Sequence, residues 1–201
     1  MPNHCINELR ITGPKADLDQ FRADAATFER AWDPEDTTSD PHPCLLNFEA
    51  GSPYPKEGEG GFDLRGKNDK WYNWRIANWG TKWNAYDVDI NVTDMGVTYN
   101  FNTAWSPPLA WLMEVTERYP TLKFMLAFFE GGNDFCGIRV MKGEDTILTH
   151  DTAAWDSTEL VDESDWFDQQ ECNFWDGVED IAKKEGMSFP SAPAPPGKRP
   201  F

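Results

Sequence analysis

The sequence predicts an α+β fold, an antiparallel sheet with helices packed on one of its faces. Three features carry that expectation. Residues 86–103 alternate apolar and polar side chains on either side of Thr93-Asp94-Met95-Gly96, the pattern of a hairpin with one buried face. Residues 15–31 and the segment after Pro108 show apolar spacing of helical period. With residues 32–85 set aside as an insertion, the elements then run strand, helix, strand, strand, helix, strand.

The first strand is read at residues 4–12, stopped by Gly13-Pro14, with Pro14 suited to the first turn of a helix. Leu18, Phe21, Ala25 and Phe28 give that helix, residues 15–31, its apolar face. Residues 33–67 carry loop chemistry, with a short strand expected over Cys44–Phe48. A Trp-rich helix follows over 69–79 and is closed by Gly80. In the hairpin, Tyr86, Val88, Ile90 and Val92 face the core with Val97, Tyr99, Phe101 and Thr103. Asp87, Asp89, Asn91, Thr98, Asn100 and Asn102 form the open face.

Ser106-Pro107-Pro108 opens the next helix, Ser106 as cap, and Leu109, Leu112, Met113 and Thr116 give it a face before Tyr119-Pro120 ends it. Apolar residues 122–130 form a strand, Gly131-Gly132-Asn133-Asp134 a turn, residues 135–141 a further strand, and 146–149 another. A C-terminal helix runs from Asp162 to Lys184 with Phe167, Phe174, Val178 and Ile181 along one seam. The order is the ferredoxin-like pattern. One domain is expected over 1–185, insertion included, and a Pro-rich flexible tail over 186–201.

Charge narrows the function. The 201 residues carry a net charge of −17, which disfavours direct contact with nucleic acid or anionic membranes. Thirteen carboxylates lie between Lys142 and Lys183, a stretch without a single Lys or Arg. No apolar run approaches the roughly 20 residues that span a bilayer, and the N-terminus has no signal-peptide pattern, so a cytoplasmic location in the host cell is expected. The four cysteines, Cys5, Cys44, Cys136 and Cys172, form no Cys-x-x-Cys pair and read as reduced thiols.

The string Trp71-Tyr-Asn-Trp74-Arg-Ile-Ala-Asn78-Trp79-Gly80-Thr81-Lys82-Trp83-Asn-Ala85, with the opening Pro2-Asn-His-Cys-Ile-Asn-Glu-Leu9 and Ile11-Thr12-Gly13, resembles the YubB ferredoxin-like family of phages, prophages and conjugative plasmids. The resemblance spans residues 1–130. It implies the ferredoxin-like fold and a mobile-element origin, and it brings no catalytic residue.

The residues themselves supply no catalytic site. His4, His42 and His150 sit in no motif with Ser or Cys, and Gly58, Gly60 and Gly61 are followed by no Lys-Ser/Thr. No cofactor and no metal ligand set is expected. In the Trp-rich helix, Trp71, Tyr72, Ile76 and Trp79 share an arc with Arg75: a core whose arginine head pairs with a carboxylate, or an aromatic and Arg recognition surface.

Two functions remain. In the first, this is a non-enzymatic phage or plasmid protein that binds and inhibits a basic, nucleic-acid-binding host defence protein of the anti-CRISPR or anti-restriction type. Its contact surface would mimic nucleic acid through Glu159, Asp162, Glu163, Asp165, Asp168, Glu171, Asp176 and Glu179, with Trp166 as the desolvated anchor. In the second, Asp87 and Asp89 point the same way from one strand and hold a divalent cation in an enzyme site. A phage accessory protein without inhibitor role is the plain alternative.

Overall fold

The computed structural model describes residues 3–29, 42–55, 70–133, 135–152 and 163–189. Of the flexible tail expected over 186–201, residues 190–201 lie outside the described residues, whereas Met187 and Phe189 in its first four positions are buried.

Six strands form one antiparallel sheet. They are β1 (His4–Thr12), β4 (Tyr86–Val92), β5 (Val97–Ala104), β6 (Lys123–Glu130), β7 (Phe135–Lys142) and β8 (Asp145–Thr152), in the spatial order β4-β5-β1-β6-β7-β8. A separate two-stranded ribbon pairs β2 (Thr27–Glu29) with β3 (His42–Cys44). The helices are α1 (Lys15–Ala25), α2 (Phe48–Gly51), α3 (Lys70–Asn78), α4 (Leu109–Arg118) and α5 (Glu163–Lys184). The four strands β4-β5-β1-β6 with crossovers through α1 and α4 are the ferredoxin-like arrangement, and the hairpin β7–β8 extends it beyond β6.

Alternation along the strands divides the side chains between two faces. Cys5, Leu9, Ile11, Tyr99, Phe101, Phe124, Leu126 and Phe128 face Leu18 and Phe21 of α1 and Trp111, Leu112 and Val115 of α4. The opposite residues of the same strands, Met125 and Ala127 of β6 and Ile138 and Val140 of β7, meet Val178 and Ala182 of α5. Strand β6 is therefore apolar from Phe124 to Phe129 because it is covered on both faces, whereas β4 and β5 keep a polar side.

Local chemistry explains most boundaries. Gly13 has φ +153° between β1 and α1, and a Cβ there would stand 2.6 Å from Leu122 Cδ2. Gly80, φ +87°, closes α3 as the spacing predicts, its N–H donating to the carbonyls of Arg75 and Ile76.

Three boundaries differ from expectation. Helix α1 stops at Ala25 rather than continuing to residue 31, because Ala26 is extended and Thr27–Glu29 enter the ribbon; the side chain of Phe28 lies outside the described atoms. The strand expected over Cys44–Phe48 is absent. Cys44 ends β3, and Asn47 caps α2 by accepting a hydrogen bond from the Glu49 N–H at 2.9 Å. Ser106 does not cap α4: its hydroxyl donates to the Gly80 carbonyl at 2.6 Å, and Pro108 stands at the helix start.

Candidate functional site

The acidic C-terminal helix is seated on the sheet by its second half. Phe174, Val178, Ile181 and Ala182, at helical spacing, pack toward Met125, Ala127, Ile138, Val140 and Leu148. Charge then fixes the seat. Arg10, buried on the central strand, makes ion pairs with Glu8 at 2.7 Å and Glu179 at 2.8 Å and donates to the Met187 carbonyl at 3.3 Å. Burial disfavours its charge, but the Glu8 and Glu179 carboxylates more than offset this and raise its pKa. Burial works against the Glu179 carboxylate too, yet hydrogen bonds from Ser188 and Arg10 hold its pKa below the usual glutamate value. Lys123 pairs with Glu185 at 2.5 Å. Beyond the helix, Phe189 closes over Gly96, where a Cβ would lie 2.5 Å from the Phe189 ring.

Of the acidic surface expected from the sequence, Glu179 is tied internally to Arg10 of β1 and to Ser188, with its side chain still partly exposed. Asp176 is exposed. Glu163, Asp165, Trp166, Asp168 and Glu171 are positions of α5, described in their backbone. Glu159 and Asp162 lie outside the described residues.

Helix α5 and the segment behind it cover the β6–β7 half of their side of the sheet, and Thr98, expected on an open face, is buried with Arg10. The other half, toward β4, stays open. It presents Asp87, Asp89 and Asn100, all exposed, with the partly exposed Asn91, Asn102, Ile6 and Glu8. A bulge interrupts β4 between Tyr86 and Asp89, with Asp87 at φ +52°. It turns Tyr86 to the polar side, opposite Asn102, instead of the core position that strict alternation assigns. The Tyr86 hydroxyl is hydrogen bonded to His4 Nδ1 at 2.6 Å. Asp87 accepts from Asn102 Nδ2 at 3.3 Å.

Aromatic residues gather at this end of the sheet. Trp105, immediately after β5, is 36% exposed and has φ +68°; it and Asp87 are the two non-glycine residues with positive φ among the described residues. Lys82 Nζ lies 4.9 Å from the Trp105 ring centroid, 5.1 Å from Trp83 and 5.8 Å from Tyr72. Trp83 in turn stands edge to face with Tyr86 at 6.3 Å. The Trp-rich motif is thus divided between two roles. Trp79 is fully buried, and Arg75, 1% exposed, is held between the rings of Trp71 and Trp79, 3.9 Å from Glu49, as the core alternative requires. Trp71 and Trp83 are only half-buried, and Trp83 belongs to the rim around Lys82.

Among the described residues no group of three or more His, Cys, Asp or Glu gathers in metal-binding proximity. Cys5 is buried and burial raises its thiol to about 12, far from a reactive thiolate. No described helix is long and apolar enough to cross a membrane.

Sequence reasoning missed His4, Tyr86, Lys82 and Trp105 as neighbours. Positive φ at Asp87 and Trp105 and the register shift in β4 are set by tertiary contacts; the one local signal was Trp105 standing between a strand and Ser106-Pro107-Pro108.

Residues 78–171 match the family model of the ferredoxin-like domain in Api92-like protein. That span runs from the end of α3 through β4–β8 into α5. Among solved structures, the crystal structure of a protein Api92 from Yersinia pseudotuberculosis is similar, with a TM-score of 0.60 and 10% sequence identity over 80% of this chain and 100% of that one. At this identity the likeness establishes the shared fold. No curated protein matches the chain.

Proposed function

We propose that the chain is a non-enzymatic phage or plasmid protein, akin to the YubB ferredoxin-like family, that binds and inhibits a nucleic-acid-binding host defence protein through an acidic, nucleic-acid-mimicking surface. The observation that carries this reading is the run of 13 carboxylates between Lys142 and Lys183 with no intervening Lys or Arg. Same-sign neighbours at three and four residues on a helix destabilise it, so a run of this length opposes folding and is accounted for by a basic partner. The placement of α5 supports the reading. Apart from its apolar seam, its described ion pairs to the sheet run through Glu179, and through Glu185 just beyond its end, while Asp176 remains exposed.

The test is capture of a partner by the immobilised full chain, followed by competition with DNA or RNA. The reading expects a partner that itself binds nucleic acid and is released by excess nucleic acid. A captured partner that nucleic acid does not displace, and that binds a variant with Asp165, Asp168 and Asp176 changed to Lys equally well, contradicts it.

A further inference from the structure

The uncovered half of the sheet face lies on the same side of the sheet as α5, because Arg10, Thr98 and Met125 line one continuous surface on which α5 and Phe189 cover one part and leave the other. On the open part, Asp87 and Asp89 are exposed and neither has an ion-pair partner among the described residues. The cross-strand neighbours are uncharged: Asn100 opposite Asp89, Asn102 opposite Tyr86, Thr98 opposite Asn91. At one end stand the rings of Tyr86 and Trp83, both half-buried. A face with two unneutralised carboxylates, amides that donate and accept, and aromatic faces at its border is complementary to a planar cation.

We propose that this open sheet face is the docking point for an arginine-bearing extended segment of the partner, with a guanidinium on the Asp87 and Asp89 carboxylates beside the Tyr86 ring. The proposal rests on the basic partner proposed above and adds where that partner is gripped and by which residue type. Arginine fits better than lysine, since its planar fork meets a carboxylate through two parallel hydrogen bonds and stacks on an aromatic face. Lys82 sets the orientation. Its ammonium already occupies the Tyr72, Trp83 and Trp105 side of the rim, so an incoming cation is repelled there and directed to the Asp87 side. The Asp87 bulge contributes geometrically by bringing Tyr86 onto the same side as Asn102 and Asp89.

The experiment uses the full chain and a twelve-residue peptide of alternating Arg and Ser, with a Lys-Ser peptide of the same length as comparison. Binding is followed by backbone amide shifts at low salt, and thermal melts confirm that each variant folds. The Arg peptide is expected to shift Asp87, Asp89, Asn100 and Asn102 and to bind more tightly than the Lys peptide. The Asp87→Asn/Asp89→Asn variant is expected to lose affinity by about tenfold or more, with Asp176→Asn changing it by less than twofold. Shifts confined to α5, lost in Asp176→Asn and kept in the Asp87→Asn/Asp89→Asn variant, overturn the docking point while leaving the acidic-helix reading intact. Equal affinity for the two peptides, or no binding of the Arg peptide, also overturns it. A single-stranded oligonucleotide that shifts the same four residues overturns the choice of a basic protein segment as occupant.

Discussion

Arg10 on the central strand and Glu179 on the C-terminal helix form an ion pair of 2.8 Å across the sheet face, and this contact adds a charged tie to the apolar seam that seats an otherwise acidic helix. Arg10 is almost wholly enclosed, and removing it would leave Glu8 and Glu179 facing one another without a cation.

Arg10→Met is expected to lower stability by about 2 kcal/mol, the scale of a lost hydrogen-bonded charge contact, and to expose α5 to limited proteolysis before the rest of the sheet. Urea denaturation measures the first and timed digestion the second. The pH dependence follows from the lowered Glu179 pKa. Its stabilisation is complete above the ordinary glutamate value of 4.5 and disappears as pH falls through the folded-state value. Glu179→Gln should therefore lose stability at neutral pH and show a shallower decline below pH 4.5 than the unmodified chain.

Trp79 is fully buried, and its indole N–H donates to the Ser52 carbonyl at 2.8 Å. Trp79→Ala should cost about 3–5 kcal/mol. Trp83→Ala, at a half-buried position on the rim, should cost less than half as much. Equal losses in chemical denaturation would place Trp83 in the core instead.

Asp87 is exposed and holds φ +52°, a region that a side chain enters at a cost. Asp87→Gly removes that cost but adds the backbone entropy that glycine loses on folding and gives up the hydrogen bond from Asn102, so stability should stay within about 0.5 kcal/mol of the unmodified chain. Asp87→Val, branched at Cβ, should lower it by about 1–2 kcal/mol. The thermal melt of the Val variant should fall clearly below that of the Gly variant.

The legible parts of the fold were those set by local pattern. The alternation of Val88, Ile90, Tyr99 and Phe101, the Leu18 and Phe21 stripe of α1, the Gly80 stop and the Phe174, Val178, Ile181 seam can each be read from spacing alone, and each stands in the structure. The illegible parts depend on distant residues. Nothing near Glu179 in sequence announces Arg10, 169 positions away, as its partner. The bulge that reverses Tyr86 preserves every residue of the alternating pattern and alters only its register. Ser106 has the chemistry of a cap, but a carbonyl of another segment, Gly80, takes its hydroxyl.

Burial governs the alkaline limit. Desolvation raises the Cys5 thiol to about 12, and desolvation first, with neighbouring carboxylates second for Tyr86 and Tyr119, raises Tyr86, Tyr99 and Tyr119 to about 12. Groups whose folded-state pKa is raised favour the fold below their ordinary values, 9.0 for Cys and 10.0 for Tyr, and that contribution is lost as pH climbs toward 12. Ultraviolet titration should therefore show three of the 5 tyrosines ionising late, together with unfolding. Cys5 should resist thiol reagents at pH 8 in the native chain.

The central claim, that the acidic C-terminal half grips a basic nucleic-acid-binding protein, is tested most directly by the affinity for the captured partner at stepped salt concentrations. The measurement is made with the unmodified chain and with a variant in which Asp165, Asp168 and Asp176 are changed to Lys. The account predicts fast association that weakens steeply with salt, loss of binding in the variant without loss of its thermal melt, and displacement by excess DNA or RNA. Full affinity in the charge-reversed variant, with no dependence on salt, would contradict it.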